Sequence, residues 1–312
     1  MMNMRDGPDG PGVFQPDQMV TCDYVNVRMG GASRKFHCAI AQDDVVKVRY
    51  GMHNREVQGS VLATRLLWSL GFVANRVYPV RVRCRGCSVD PWHQREPTSG
   101  VHDFDPAVIE RHPRGSEMRV GSKKAGWSWP ELELVEEDQG GAPRAHRDAL
   151  KLLAVFMQHT DTKPQQQRLL CPPGMFAATG ECRQPFMMLH DVGLTFGHAN
   201  AFNRANTGSV NLEEWADAPI WSDAAKCVGH LSRSNTGTLG NPVVGEAGRK
   251  FLADLLLQLT DRQLQDLFEA AHLQNRNPRS DGFASRGDQV AGWVAAFKHK
   301  RDEIARARCP SA

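Results

Sequence analysis

Two short polar segments hold the residues best suited to chemistry: His159-Thr160-Asp161-Thr162-Lys163-Pro164-Gln165-Gln166 and His190-Asp191-Val192-Gly193-Leu194-Thr195-Phe196-Gly197. Each follows an apolar run and puts an aspartate where that run ends, so two carboxylates are expected at the edge of one core. Moving a phosphoryl group asks little covalent work of a protein and much positioning. It needs a lysine on the phosphates, an acid holding that lysine, an orienting aspartate and metal ligands. Asp161 suits the orienting role, and Lys163 the neutralising of a transferring group. In Asp191-Val192-Gly193 the glycine lets the chain turn sharply, so that the carboxylate can reach Mg²⁺ or Mn²⁺. Gln166 offers an amide oxygen for the same cation.

Upstream, Lys47 lies between apolar neighbours in Val45-Val46-Lys47-Val48, as a strand lysine aimed at phosphates would. Glu56 is the only acid of the helix expected next, at the end where the helix dipole also favours a carboxylate. Gly30 and Gly31, in Gly30-Gly31-Ala32-Ser33, form a turn whose backbone could close over phosphates. Each residue alone has a plainer explanation: a solvated strand lysine, a dipole-satisfying acid, a polar turn after a capped helix. Their order along the chain favours the chemical one.

The elements that must position them follow from periodicity. Alternating apolar residues at Val25 and Val27, then Phe36, Cys38 and Ile40, then Val45, Val46, Val48 and Tyr50, predict a β-meander. Val57, Val61, Leu62, Leu66 and Leu70 recur at helical spacing up to Gly71, and Val77 to Val82 alternates again, giving a small lobe of sheet and helix. Residues 88 to about 146 are rich in Pro, Gly and charge, with Trp127 and Trp129 on an apolar island, and read as an extended connection. A helix over about 147–158 delivers His159 and Asp161, and the apolar run Phe186–Leu189 delivers Asp191. Three further helices, the second opened by a Thr260/Gln263 capping box, are scaffold. The expected domains are an irregular arm over 1–20, an N-terminal lobe over 21–95, a connection over 96–146 and a C-terminal lobe over 147–312.

Composition sets outer bounds. The 312 residues carry a formal net charge of +3 with basic residues dispersed, which gives no sign of a nucleic-acid or membrane-surface partner. No run of about 18 apolar residues occurs, and the first residues lack the apolar stretch of a signal peptide. The chain as written is expected in the cytoplasm, or exported if the true start lies upstream. Eight cysteines, including Cys84-Arg85-Gly86-Cys87 and the pair Cys171 and Cys182, leave thiols, local disulfides or a zinc site on those four as alternatives.

With these residues in view, the chain resembles the atypical branches of the protein-kinase-like superfamily: HipA-type kinases, phosphatidylinositol 4-kinases and secretory-pathway kinases. The last group is the most similar, through Asp191-Val192-Gly193-Leu194-Thr195-Phe196-Gly197 and the five-residue spacing of Asp161 and Gln166, which is that of HRDxxxxN. The chain also resembles a group of uncharacterised bacterial proteins that share its RLLW-LGF helix, CxxC and HTDxKPxQQ segments. The resemblance covers about residues 36–197. It implies an α+β, two-lobed kinase-like fold with a small sheet-plus-helix N-lobe and a mainly helical C-lobe. It further implies an ATP- and Mg²⁺- or Mn²⁺-dependent phosphotransferase acting on an unspecified acceptor, protein or small molecule. Lys47 would be the nucleotide lysine, Asp161 the catalytic aspartate, and Gln166 and Asp191 the metal ligands. Two positions depart from the pattern: the acid expected eleven residues before Gly71 is Ser60, and the amide ligand is Gln instead of Asn. A nucleotide-binding module without catalysis, or a structural protein held by zinc or disulfides, are the alternatives.

Overall fold

The computed structural model describes residues 2–31, 33–118, 126–197, 210–273 and 286–310, so Ala32 of the glycine turn and part of the expected connection lie outside the described residues. Strands β1 (Met19–Val25), β2 (Lys35–Ala41) and β3 (Asp44–Tyr50) form the expected antiparallel meander, except that β1 lies earlier than expected: it ends at Val25, and Val27 is outside it and exposed. Their alternation turns Val20, Cys22, Phe36, Cys38, Val46, Val48 and Tyr50 inward. Two longer strands, β4 (Arg76–Arg85) and β5 (Val101–Arg111), complete the order β1-β2-β3-β5-β4. Because β1 also pairs with β4 in parallel, the sheet closes into a barrel. Phe36, Tyr50 and Phe104 fill its interior, with ring centroids 4.8 to 5.5 Å apart.

The stretch over 96–146 is therefore not simply a connection: it contains an 11-residue strand. Asp105-Pro106 interrupts the apolar alternation between Phe104 and Ala107. At that point the β4–β5 register shifts, as a bulge that accommodates a proline would require.

Helix α1 (Glu56–Ser69) is buried continuously from Val57 to Leu67. The buried run takes in Gln58, Ser60, Thr64 and Arg65 along with the apolar residues, so the helix is covered on every side. It lies against β3, β4 and β5 of the barrel and against α5 (Asp261–Ala270) of the second core. Gly71, at φ 82°, ends it as expected. The C-terminal part comprises α2 (Arg144–Phe156), a small sheet of β6 (Ser116–Glu117), β7 (Gln167–Cys171) and β8 (Phe186–Leu189), then α3 (Leu212–Asp217), the strand pair β9 (Trp221–Asp223) and β10 (Val228–Gly229), α4 (Glu246–Leu257), α5 and α6 (Arg286–Arg306). Phe156, Phe196, Trp215, Trp293 and Phe297 are central to its core. The capping box at Thr260 forms, with reciprocal bonds to Gln263. Mixed α/β structure with a barrel and a helical region agrees with an α+β class. No helix among the described residues is long and apolar enough to cross a membrane.

The N-terminal arm is irregular as expected but is anchored throughout. Met4 is buried in the helical core and Phe14 in the barrel core. The Arg65 guanidinium donates to the carbonyls of Met4 and Arg5, and Tyr78 Oη donates to Pro8 O at 2.8 Å.

All eight cysteines are paired: Cys22–Cys38, Cys84–Cys87, Cys171–Cys182 and Cys227–Cys309. A zinc site on Cys84, Cys87, Cys171 and Cys182 is not formed, because each of those pairs closes on itself. The Cys227–Cys309 bridge ties the end of α6 to the β9–β10 pair across 82 residues. By the loop-closure argument it should contribute about 4 kcal/mol. Cys309→Ser should accordingly lower the midpoint of denaturation by urea without reductant, and an unchanged midpoint would show that the bridge constrains nothing.

Candidate functional site

Alternation along β3 sends Val46, Val48 and Tyr50 into the barrel and Lys47 and Arg49 out of it, under the start of α1 and the segment after β8. Arg49 is the centre of what they meet. Its Nη1 donates to Glu110 Oε2 at 2.9 Å and its Nη2 to Asp191 Oδ2 at 2.9 Å, while its Nε lies 3.4 Å from Glu56 Oε2. The arginine side chain is only 2% exposed. Three carboxylates from β5, α1 and the loop after β8 thus share one guanidinium.

Lys47 does not pair with Glu56. It lies 2.6 Å from Glu110 Oε1, because the β3–β5 register sets Lys47 directly opposite Glu110. The acid that holds the strand lysine comes from a neighbouring strand, and Glu56 is released to Arg49 and to Ser33, whose Oγ donates to it at 2.8 Å. Asn75 Nδ2 supplies Glu110 with a third donor at 2.7 Å. Ser60 is buried and bonds back to the carbonyl of Glu56 at 2.6 Å, taking no part in the cluster.

Electrostatics follow from this crowding. Burial pushes the Asp191 carboxyl up, but attraction to Arg49 and then Lys47 outweighs it and holds the group well below the usual carboxylate range. Glu110 is shifted down by the same balance of burial against Arg49 and Lys47. Glu56 goes the other way: burial, reinforced by Asp191, prevails over Arg49 and raises it. Burial works against the Arg49 charge, and Asp191, Glu110 and Glu56 more than restore it.

Gly30 and Gly31 lie in the loop between β1 and β2, which Ser33 fastens over Glu56. Gly31 has φ 95°, and a side chain there would strike Lys35 Nζ. Lys35 opens β2 and is lowered by burial and by Arg49, with Glu56 and Asp191 acting in opposition. It lies beside the glycine turn, and Lys47 on the neighbouring strand is a further cation.

On the other side, Asp161 and Asp191 are brought together through Gln166. Its Nε2 donates to Asp161 Oδ2 at 2.5 Å, and Lys163 Nζ reaches the same oxygen at 3.0 Å. The Gln166 carbonyl accepts from the main-chain N–H of His190 at 2.8 Å and of Asp191 at 3.2 Å. Antiparallel pairing of β7 and β8, with Gln167 opposite Leu189, puts both segments at one end of the hairpin. Helix α1 closes in from above at Gly59, where any side chain would overlap the carbonyl of Gly193. His159 is fully buried, with no hydrogen-bond partner at either ring nitrogen among the described residues; burial lowers it to about 4, so it is neutral packing at neutral pH.

Asp191 and Gln166 carry oxygens of cation-binding type, on segments joined by the Gln166 carbonyl. Glu110, His112 and His190 also bring ligand atoms within 4.8 Å of one another, although Glu110 is already held by Lys47, Arg49 and Asn75.

Arg49, Glu110, Lys35, Asn75 and Gly59 did not stand out in the sequence. Arg49 shares the face of Lys47 two residues on, which the strand period could have shown. Glu110 was hidden in the stretch read as a connection.

No protein-family model matches the chain, and no curated protein sequence matches it. Among solved structures it is similar to the Helicobacter pylori proinflammatory kinase CtkA, at 11% identity and a TM-score of 0.44, over 93% of this chain and 96% of that one.

Glu110→Gln removes the counter-charge of Lys47 and one of the three around Arg49, and should cost about 3 kcal/mol at neutral pH. Since the fold lowers Glu110 from 4.5, its contribution is complete above that value and is lost as pH falls below it. Urea denaturation at about pH 6 and about pH 3.5 should therefore show a smaller loss on acidification in the variant than in the parent. Equal losses would contradict this account of Glu110.

Proposed function

We propose that the chain is an ATP- and divalent-metal-dependent phosphotransferase of kinase-like type. The observation that carries this reading is the joining of Asp161 to Asp191 through Gln166, beside a cluster of Arg49, Lys47 and Lys35 under a glycine turn. Phosphoryl transfer needs that combination of orienting carboxylate, metal carboxylate and cations, with no further covalent machinery.

The residues present fit a hard cation. Asp191 is anionic at neutral pH and commits Oδ2 to Arg49, whereas Oδ1 has only a 3.5 Å contact with Gly193 N–H. Gln166 spends its amide N–H on Asp161 and keeps its amide oxygen. Oxygen donors of this kind suit Mg²⁺ or Mn²⁺, which would neutralise phosphate charge. Lys47 and Lys35 would bind phosphate oxygens, the Gly30-Gly31 turn would lie over them, and Arg49 would hold Asp191 and Glu56 in place. Asp161 would orient the acceptor hydroxyl, with Lys163 beside it. The acceptor is a protein or a small molecule.

A second reading, a nucleotide-binding module without catalysis, is favoured by one feature: the Asp161 oxygen that would receive a proton is occupied by both Lys163 and Gln166.

Thermal shift with ATP and Mg²⁺ or Mn²⁺ should raise the melting midpoint of the parent and not of Asp191→Ala; absence of a shift in the parent would remove both readings. Transfer or release of the γ-phosphate, followed by mass spectrometry of the protein and by phosphate assay, separates the two. Asp161→Ala should lower that rate roughly 100-fold or more while retaining the thermal shift, and a parent that binds ATP yet never consumes it would leave the non-catalytic reading.

A further inference from the structure

Cys22, Cys38, Cys84 and Cys87 gather at one end of the barrel. Cys22 on β1 and Cys84 on β4 are direct register partners. Cys38 projects from β2 on the other side of β1, and Cys87 closes the turn Cys84-Arg85-Gly86-Cys87, which Gly86 allows with φ 81°. All four are buried, at 0 to 1% exposure.

They are joined as Cys22–Cys38 and Cys84–Cys87, yet the two bridges touch. Cys38 Sγ is 3.8 Å from Cys84 Sγ, and the sulfurs of Cys22, Cys38 and Cys84 all lie within 4.8 Å of one another. Among the described residues, Cys171–Cys182 and Cys227–Cys309 belong to no such group.

Zinc–sulfur bonds of about 2.3 Å put the sulfurs of a tetrahedral tetrathiolate about 3.8 Å apart. That separation already exists between the bridges. Within each bridge the Cα atoms are 5.6 and 5.7 Å apart. Rotation about the Cα–Cβ bonds, with the strands left in place, is what the remaining sulfurs need. Cys-x-x-Cys is also a zinc-ligand spacing.

We propose that Cys22, Cys38, Cys84 and Cys87 form a zinc site when reduced, and the two disulfides when oxidised. Two equivalents of a dithiol or phosphine, each giving two electrons and leaving as its cyclic disulfide or its oxide, supply four electrons, which with four protons convert the two disulfides to four thiols. Zn²⁺ then displaces four protons and is held by four thiolates. The disulfides join β1 to β2 and close the turn after β4, whereas the metal would join β1, β2 and β4 through sulfur. A reducing compartment selects the metal, an oxidising one the bridges.

The test uses the full chain, reduced anaerobically with a phosphine, given ZnCl₂ and freed of excess by gel filtration. Elemental analysis should find one zinc per chain, and alkylation followed by peptide mass spectrometry should find Cys22, Cys38, Cys84 and Cys87 labelled less with zinc than without it, while the labelling of Cys171, Cys182, Cys227 and Cys309 is the same in both. Cys87→Ser should lose the zinc, whereas Cys171→Ser should keep it. No retained zinc, or no zinc-dependent protection of those four thiols in a chain that does retain it, would overturn the proposal. The alkylation map is read on the unsubstituted chain and so does not depend on a variant folding.

Discussion

The buried guanidinium of Arg49 is the constraint from which the rest of the arrangement follows. Removing a charge from water costs several kcal/mol even after relaxation, and the cost is recovered only where geometry and counter-charge are both good. Arg49 meets that condition by drawing one carboxylate from each of three separate places: Glu110 from β5, Glu56 from α1 and Asp191 from the loop after β8. None of these elements can be placed independently of the others. The barrel sets the arginine, the arginine sets the start of α1, and both set the aspartate. Lys47 and Lys35 supply the further positive charge that three clustered carboxylates require, which leaves the cluster close to neutral.

A second polar group lies beside this one and is organised differently. Asp161 is partly exposed and is held by amide and ammonium donors from its own segment, with no buried counter-ion. The link between the two groups is made by the backbone: a single carbonyl, that of Gln166, accepts from both His190 and Asp191. Backbone bonds of this kind fix distance without adding charge, so the two carboxylates can be close in space while differing in environment. One is locked and strongly acidic. The other, similarly exposed, is held by an ammonium and an amide of its own segment.

Where local chemistry decides structure, the sequence was readable. The β1–β3 meander, the stop of α1 at Gly71 and the capping box at Thr260 all follow from residues near one another in the chain, whereas for Cys84, Cys87, Cys171 and Cys182 spacing left thiols, local bridges and zinc open. What lay beyond reach depends on register between distant strands. Glu110 becomes the partner of Lys47 only because β5 pairs with β3, and β5 itself was obscured by Asp105-Pro106, where a bulge breaks the alternation. The same holds for Cys22 beside Cys84, and for Gly59, whose missing side chain matters only because the carbonyl of Gly193 packs onto it. Glu56 was found but given the wrong partner, since helical position alone does not distinguish Lys47 from Arg49 on the face below.

The N-terminal arm imposes a mechanical condition on all of this. It begins in the helical core at Met4, crosses α1 where Arg65 grips its carbonyls, passes Tyr78 and ends in the barrel core at Phe14. The arm therefore acts as a strap sewn to both sides of the seam in which the charged cluster lies. Swinging the barrel away from the helices would have to pull a buried methionine out of its core or strand a buried guanidinium. The two cores are thereby held as one frame.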